Sequence, residues 1–288
     1  MVLITGAAGK TGKAVIKALV HKGVAVKAFV FRNTYTEEMY RLGATEVVTG
    51  DLLNQADLEI ALKDVTAVYH ICPNMHPEEI SIGGKVIKAV KSSRCRRIVY
   101  HSVLHPQTES MPHHWHKLKV EELLFASGLN YTILQPCAYM QNILNDLNEI
   151  IENKSYTLPY NPGSKFSFVD LVDISEAASV VLTTPGHMGA IYELSGPEVL
   201  SVQDVIEVIA KENNIDVTLT VQSQHRWMEQ PGIASLSDYK RDCLRKMFEY
   251  YDKYGLWGNS SVLEWILGRK PRKIQQVISY QLDEDGRT

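Results

Sequence analysis

A run of small residues near the start of the chain has the composition of a phosphate-binding turn. The glycines of the segment 5–12 are spaced GxxGxxG, directly after a short apolar stretch. Such glycines permit a tight turn, let backbone amides approach a pyrophosphate, and let a helix pack closely on a strand. The amino end of the following helix adds a partial positive charge. The residues predicted to bind a dinucleotide here are Gly6, Ala8, Gly9, Lys10, Thr11 and Gly12. The alternative is a purely structural turn.

Two charged residues stand where the second and third candidate strands end. Arg32 occupies the place where an NAD site usually has an acidic residue that binds the ribose 2′-hydroxyl. Because a guanidinium suits a 2′-phosphate, Arg32 predicts NADP(H) over NAD(H), with NAD(H) still open; capping of an exposed edge is the alternative. Asp51 is expected near the adenine edge, or else in a solvated turn.

Six apolar runs in the first half must position these side chains. They are Val2–Thr5, Val24–Val30, Glu46–Thr49, Ala67–Cys72, Arg97–Val103 and Asn130–Gln135. They are nearly continuous in apolar residues, which is typical of strands covered on both faces. Amphipathic helical patterns separate them. The alternation predicts an α/β fold with a Rossmann-type, doubly wound parallel sheet.

The second half is less regular, and it predicts a smaller mixed carboxyl-terminal subdomain. Its expected elements are a helix at Tyr139–Asn153, a helix at Asp173–Thr183, a strand at Ile191–Ser195, a helix at Ser201–Asn213 with Ser201 as N-cap, a strand at Asp216–Val221, and helices after residue 224. We therefore expect a dinucleotide-binding domain at 1–153 and a substrate or lid subdomain at 154–288. The strand near 191–195 is a candidate to return to the sheet.

Composition narrows the classes of protein. The 288 residues are 45% hydrophobic and 22% charged with a net charge of −3, which is ordinary for a globular chain and argues against binding of nucleic acid through phosphate contacts. No run of about 18 apolar residues predicts a membrane span. The four cysteines form no CxxC pair, so neither a disulfide framework nor a zinc site is indicated. Without a signal-peptide pattern, we expect a cytoplasmic protein.

Several segments together resemble the NmrA-like branch of the atypical short-chain dehydrogenases/reductases. The opening TGxxGxxG, Gly50-Asp51 and Ser102 resemble the wider family. Residues 120–136 are similar to that branch's "VE…SGL.YTILRP" segment, with Gln135-Pro136 at the last two positions. Residues 168–174 resemble "VDVxDIA", and residues 192–201 resemble "Y-x-L-[ST]-GPE…LS". The resemblance covers roughly residues 1–215 and implies a Rossmann-type reductase or regulator that binds NADP(H).

The resemblance also implies roles for individual residues. Family reductases use Ser, Tyr and Lys, the last two as YxxxK. Lys117 matches the lysine that binds the nicotinamide ribose, Ser102 matches the serine that orients the acceptor, and His113 occupies the tyrosine position. Residues four apart still share a helix face. Pro136 and Tyr139 are implied to lie at the nicotinamide end of the cofactor site.

The histidine at the tyrosine position separates two functions. It replaces a phenol with a pKa of about 10 by an imidazole with a pKa of about 6.5, which can deliver a proton near neutral pH. An NAD(P)H-dependent reductase of quinone-like or related carbonyl substrates is the first hypothesis. A non-catalytic NADP(H) redox sensor that regulates a protein partner is the second, since loss of the tyrosine fits a protein without turnover. A homodimer stays open.

Two further groups of residues leave alternatives. The histidines are His105, His113, His114 and His116; no Cys or Glu at matching spacing completes a metal site, so we predict no metal and expect exposed histidines, apart from a site role for His113. The aromatic residues after 225 are Trp227, Tyr239, Phe248, Tyr250, Tyr251, Tyr254, Trp257, Trp265 and Tyr280. They indicate helix packing, a wall that stacks a flat substrate, or a surface that docks a partner.

Overall fold

A seven-stranded sheet organises the first unit of the computed structural model, which describes residues 1–285. The strands are β1 Val2–Ile4, β2 Val26–Val30, β3 Glu46–Thr49, β4 Ala67–His70, β5 Arg97–His101, β6 Asn130–Pro136 and β9 Ala190–Leu194. Their order is β3-β2-β1-β4-β5-β6-β9, and the first six pair in parallel. The sequence order reverses between β1 and β4, which is where doubly wound sheets bind ligands. The predicted Rossmann-type fold is confirmed.

The helices between these strands bury their apolar faces. They are α1 Lys10–His21, α2 Thr36–Arg41 after a 3-10 turn at Asn33–Tyr35, α3 Gln55–Ala61, α4 Glu79–Ser92 and α5 Pro112–Phe125. Every residue of β2 and of β4 is buried. This burial explains why the strand sequences are apolar throughout rather than alternating.

The remaining elements are shorter. They are α6 Gln141–Leu144, α7 Leu147–Asn153, β7 Ser155–Leu158, β8 Lys165–Phe166, α8 Leu171–Thr183, β10 Leu200–Ser201, α9 Val202–Asn213, β11 Thr218–Val221, α10 Gln224–Met228, α11 Pro231–Ala234, α12 Asp238–Tyr254, α13 Ser261–Leu267 and α14 Ile274–Asp285. Strands β8 and β10 pair antiparallel, and β7 and β11 pair in parallel. Within residues 1–285, no helix combines the length and the apolar character that a membrane crossing requires.

The expected single helix at Tyr139–Asn153 is wrong, because the structure has the two short helices α6 and α7 there. The break falls at Asn145 and Asp146, whose side chains compete with helical hydrogen bonds. The helix predicted from Ser201 is confirmed. Ser201 accepts a hydrogen bond from the Asp204 amide, and the Asp204 carboxylate accepts one from the Ser201 amide, which makes a full capping box.

Contacts between Cα atoms divide the chain into two compact units. The first comprises 1–109, 113–135 and 174–192, and the second comprises 110–112, 136–173 and the chain from Glu193 onward. Strand β9 lies beside β6 in the sheet. The division into domains at 1–153 and 154–288 stays a prediction.

Four charged residues join two segments of the second unit, the one around residues 170–173 and the one around residues 269–272. Arg272 lies 2.9 Å from the Asp170 carboxylate, and Arg269 lies 2.7 Å from that of Asp173. The Arg272 amide also donates to Asp173, at 2.7 Å. Both carboxylates are buried, so each needs such a partner to offset its loss of water.

Helices α4 and α5 of the first unit approach closely at a glycine. A Cβ atom built on Gly83 would lie 2.7 Å from both methyl carbons of Val120, whereas one on the adjacent Gly84 would meet only Leu123, at 3.8 Å. Val120 is buried and has no room to move. Gly83 is thus the residue that lets the two helices meet.

We expect Gly83→Ala to lower the free energy of unfolding by about 1–3 kcal/mol, because the new methyl group overpacks against Val120. Gly84→Ala is the matched control, and it should be neutral or stabilising by about 0.5–1 kcal/mol because alanine favours the helix. Urea unfolding of the two variants checks this. Equal stabilities would contradict the close packing at Gly83.

Candidate functional site

The turn between β1 and α1 leaves the amino end of α1 without a side-chain cap. Gly6 has a φ of +60°, and a Cβ there would lie 2.9 Å from the carbonyl oxygen of Ile71. A Cβ on Gly12 would lie 2.4 Å from the Gly6 carbonyl oxygen. The N-cap of α1 is Gly9, no side chain caps this helix end, and its first turn has no acidic residue. Such an end fits a pyrophosphate.

The predicted cofactor residues at the neighbouring strand ends differ in their surroundings. Arg32 is exposed just after β2, and its side chain makes no hydrogen bond or ion pair with residues 1–285. Asp51 uses its carboxylate locally, because Oδ1 accepts a hydrogen bond from the Leu53 amide at 2.8 Å. Its own amide donates to Asp57 at 2.9 Å. Arg32 is therefore available to a ligand, whereas Asp51 serves a turn.

Lys117 is held by a buried carboxylate that the sequence did not point to. Its Nζ lies 2.6 Å from Oε1 of Glu79 and 3.3 Å from the carbonyl oxygen of His101. The Tyr100 hydroxyl donates to the same Glu79 oxygen at 3.0 Å. Glu79 is only 1% exposed. Two of the three ammonium hydrogens of Lys117 are thereby used, and the third can reach a ligand.

Ser102 is backed by a second buried carboxyl group. Its hydroxyl makes a short hydrogen bond to Oε1 of Glu121. Gln135 donates its side-chain amide to both oxygens of Glu121, at 2.9 and 3.0 Å. Burial raises the pKa of Glu121 above its ordinary value, and the hydrogen bonds from Ser102 and Gln135 and the nearby Lys117 charge oppose that effect. Ser102 and Lys117 are thus brought together with two acidic groups at the end of β5.

His113 and His114 are buried, so the expectation of exposed histidines is wrong for both. They lie at the start of α5, and the α5 face that carries His113 also carries Lys117 and Glu121, which face the protein interior. The His113 ring packs edge-on against His114 at 4.6 Å, and its Nδ1 has no hydrogen-bond partner among residues 1–285. His114 Nδ1 lies 3.1 Å from the His105 carbonyl oxygen.

Burial and the Lys117 charge keep these rings neutral. Desolvation lowers the pKa of His113 to about 2 and that of His114 to about 4, and Lys117 adds to both shifts. The same causes lower the pKa of His70 and of His101 to about 3. An uncharged His113 can hydrogen-bond at neutral pH, but it does not supply a proton as an imidazolium. This corrects the expectation of a histidine acid near neutral pH.

Pro136 and Tyr139, the remaining predicted cofactor residues, belong to the second unit. Pro136 is the last residue of β6, and the half-buried Tyr139 makes a backbone bridge to Val169. The neighbouring Cys137 donates to the Leu256 carbonyl oxygen at 3.3 Å, and burial raises the pKa of its thiol to about 12. Cys137 is accordingly a structural thiol.

Two kinds of late aromatic residue in the second unit lie at the extremes of burial, and Trp227, Tyr239 and Tyr250 are half-buried. Phe248 and Tyr251 are buried and pack with Tyr160 and Phe166 at centroid distances of 5.0 to 5.9 Å. The exposed ones are Tyr254, Trp257, Trp265 and Tyr280. Helix packing therefore accounts for the first kind and leaves the second kind at the surface.

Comparison with known proteins finds one matching family and similar proteins along most of the chain. A model of the NmrA-like family matches residues 1–284. Quinone oxidoreductase 2 of Escherichia coli is 25% identical over 281 residues, which cover 97% of this chain and 98% of that protein. An NAD(P)H azoreductase of Xenophilus azovorans is 28% identical over 215 residues, 73% of each chain. The crystal structure of the E. coli quinone oxidoreductase complexed with NADPH superposes with a TM-score of 0.85 and covers 98% of this chain and 100% of that one.

The buried histidines predict a loss of stability in acid. Below pH 6.5 the unfolded chain takes up protons on these rings while the folded chain does not. The free energy of unfolding therefore decreases as the pH is lowered. At pH 5 each such ring costs roughly 2 kcal/mol relative to pH 7. Urea unfolding at the two pH values measures the difference. His113→Gln should shrink it, whereas His225→Gln, at a side chain that is 84% exposed, should leave it unchanged. An equal effect of both variants would contradict the neutral state of buried His113.

Proposed function

This chain belongs to the NmrA-like family, and on that premise we propose that it is an NADP(H)-dependent reductase of quinone-like or related carbonyl acceptors. The observation that carries the proposal is the Lys117 ammonium. It is fixed by Glu79 at the carboxyl edge of the sheet and keeps one hydrogen for a ligand. The uncapped end of α1 lies at the same edge of this sheet. A pyrophosphate and a ribose therefore each have a suitable partner in one unit.

Each residue of the proposed site has a task that its surroundings allow. The amides at the start of α1 bind the pyrophosphate, and the unpaired Arg32 binds the 2′-phosphate. Lys117 donates to a ribose hydroxyl. Ser102 orients the oxygen of the acceptor. Neutral His113 lies at the start of α5, the helix that carries Lys117. NADPH supplies a hydride when it is bound.

The relatives support this acceptor class. The E. coli relative is named a quinone oxidoreductase and its structure is NADPH-complexed, and the Xenophilus relative is an azoreductase. Quinones suit a site without a tyrosine acid, because their reduced oxygens are less basic than an alkoxide. His113 has no imidazolium proton to offer, so an acceptor whose reduced oxygen is weakly basic fits best.

A non-catalytic NADP(H) sensor that acts on a protein partner is the second candidate. It is favoured by the low pKa of His113 at the tyrosine position and by the exposed Trp257 and Trp265. Partner docking would use such exposed aromatic surface. Both candidates share the cofactor and differ in turnover.

Steady-state oxidation of NADPH with a panel of quinones, an azo dye and simple carbonyl compounds tests the proposal. We expect turnover with quinones, and weaker NADPH binding when Lys117 is replaced by Met. If NADPH binds at micromolar concentration and no acceptor supports turnover, the reductase is contradicted and the sensor is favoured. Unchanged NADPH affinity of Lys117→Met would place the lysine outside the cofactor site.

Arg32 predicts the cofactor preference. We expect Arg32→Gln to raise the KM for NADPH about tenfold or more, because a charged hydrogen bond to the 2′-phosphate is lost. The KM for NADH should change less than about twofold. Arg41→Gln, at another exposed arginine of the same unit, is the matched control and should alter neither value. Parallel shifts for both cofactors would contradict recognition of the 2′-phosphate by Arg32.

A further inference from the structure

Two buried glutamates lie beneath the proposed site, and their surroundings are opposite. Glu79 has a cation, because Lys117 Nζ is 2.6 Å away. Glu121 is 2% exposed and has no cationic group within 4 Å among the described residues. Its partners are the Ser102 hydroxyl and the Gln135 amide, both neutral. When two carboxyl groups have environments this different, the unpaired one is the candidate for a proton carrier.

The residues that hydrogen-bond to the Glu121 carboxyl group are neutral. Strand β5 presents Tyr100, whose hydroxyl is already given to Glu79, and Ser102 follows that strand. Strand β6 presents Gln135. On its own helix the nearest charge is Lys117, one turn earlier, and that ammonium is engaged by Glu79. Burial favours the protonated form and outweighs the hydrogen bonds from Ser102 and Gln135, so the pKa of Glu121 is raised above its ordinary value.

The proton on Glu121 decides where the Ser102 hydroxyl points. If Glu121 is ionised, the carboxylate accepts the Ser102 hydrogen, and Ser102 then has only lone pairs for a substrate. If Glu121 is protonated, its own O–H can donate to Ser102 Oγ, and the Ser102 hydrogen turns toward the acceptor. The hydrogen bond between these two oxygens is the line along which the proton would pass.

We propose that Glu121 is the positioning residue and proton reservoir of the site, and that it acts through Ser102 on the reduced oxygen of the acceptor. The inference rests on the proposed reductase function and names the source of its proton. It gives the site a proton source that neutral His113 does not provide. The segment of the family motif that residues 127–136 resemble has Arg where this chain has Gln135, so the neutral partner of Glu121 is a departure from that motif.

The proposed step balances in charge and atoms. Hydride transfer leaves one negative charge on an oxygen of the acceptor. The Ser102 O–H bond breaks as that oxygen takes its proton, and Ser102 recovers a proton from the Glu121 carboxyl group. The Glu121 carboxylate that results is stabilised by the Gln135 amide and by the Lys117 charge. Glu121 regains a proton from water through Ser102 after the product leaves.

Adjacent glutamates on α5 provide a matched pair of variants. Glu121→Gln keeps the shape and can still donate to Ser102, but it carries no transferable proton. Glu122→Gln changes a side chain that is 53% exposed and paired with Lys119. We expect Glu121→Gln to lower kcat for 1,4-benzoquinone about a hundredfold, within the range for loss of a general acid. Its KM for NADPH should stay within about twofold, and Glu122→Gln should resemble the wild type.

The pH profile and the choice of acceptor separate proton supply from a structural role. Wild-type kcat should decline with rising pH through one ionisation that Glu121→Gln lacks. The deficit of Glu121→Gln should be smaller for 2,5-dichloro-1,4-benzoquinone than for 1,4-benzoquinone, because the chlorinated hydroquinone is more acidic. A merely structural role would give the same deficit for both acceptors. In a Ser102→Ala background, Glu121→Gln should cause no further loss.

A spectroscopic measurement on the protein without cofactor tests the proton itself. In protein labelled with 13C-glutamate, the carboxyl resonance that disappears in Glu121→Asp is assigned to Glu121. We expect the Glu121 carboxyl group to keep its proton to higher pH than the exposed glutamates do. If the Glu121 carboxyl group titrates together with the exposed glutamates, or if Glu121→Gln keeps the kcat of the wild type, the inference about Glu121 is overturned and the reductase proposal is not affected. Absence of turnover in the wild type despite NADPH binding overturns the reductase proposal together with it. If Glu121→Gln does not fold, the 13C titration decides.

Discussion

The buried ion pair between Lys117 and Glu79 is the interaction on which the centre of this protein depends. A carboxylate that is 1% exposed is costly to bury alone, and Lys117 and the Tyr100 hydroxyl together offset that cost at one oxygen. The pair also fixes the position of the ammonium group at the end of β5. Burial lowers the pKa of His70, His101, His113 and His114, and the Lys117 charge adds to each of these shifts.

The ion pair between Lys117 and Glu79 also gives the two buried glutamates, Glu79 and Glu121, different surroundings. Among the described residues the Lys117 ammonium pairs with Glu79, whereas the hydrogen-bond partners of Glu121 are the neutral Ser102 and Gln135. One carboxyl group thereby holds the ammonium, and burial raises the pKa of the other above its ordinary value. We infer that the loss of the family tyrosine at position 113 is tolerable for this reason, since the proposed proton source Glu121 lies further along the same helix α5. The chemistry of the site is therefore set by charge pairing rather than by the identity of a single acid.

Sequence patterns predicted what depends on local structure. Strand β3 has the expected bounds Glu46–Thr49, and Ser201 caps α9, because strand propensity and capping boxes act over a few residues. The burial of His113 and the pairing of Glu79 with Lys117 were not predicted. Glu79 and Lys117 are 38 positions apart, and in the sequence Glu79 looks like an ordinary acidic residue at a helix start. Only the packing of α4 beside α5 brings such groups together.

That packing gives one glycine an influence on electrostatics. Gly83 lies one helical turn beyond Glu79 on α4, and it meets Val120, the neighbour of Glu121 on α5. The absence of a methyl group at Gly83 therefore helps to set the distance between the Glu79 carboxylate on α4 and the Lys117 ammonium on α5. Coulomb energy in a poorly hydrated interior changes steeply with distance. The affinity of this site for a charged ligand is consequently adjustable by an uncharged residue that never touches it.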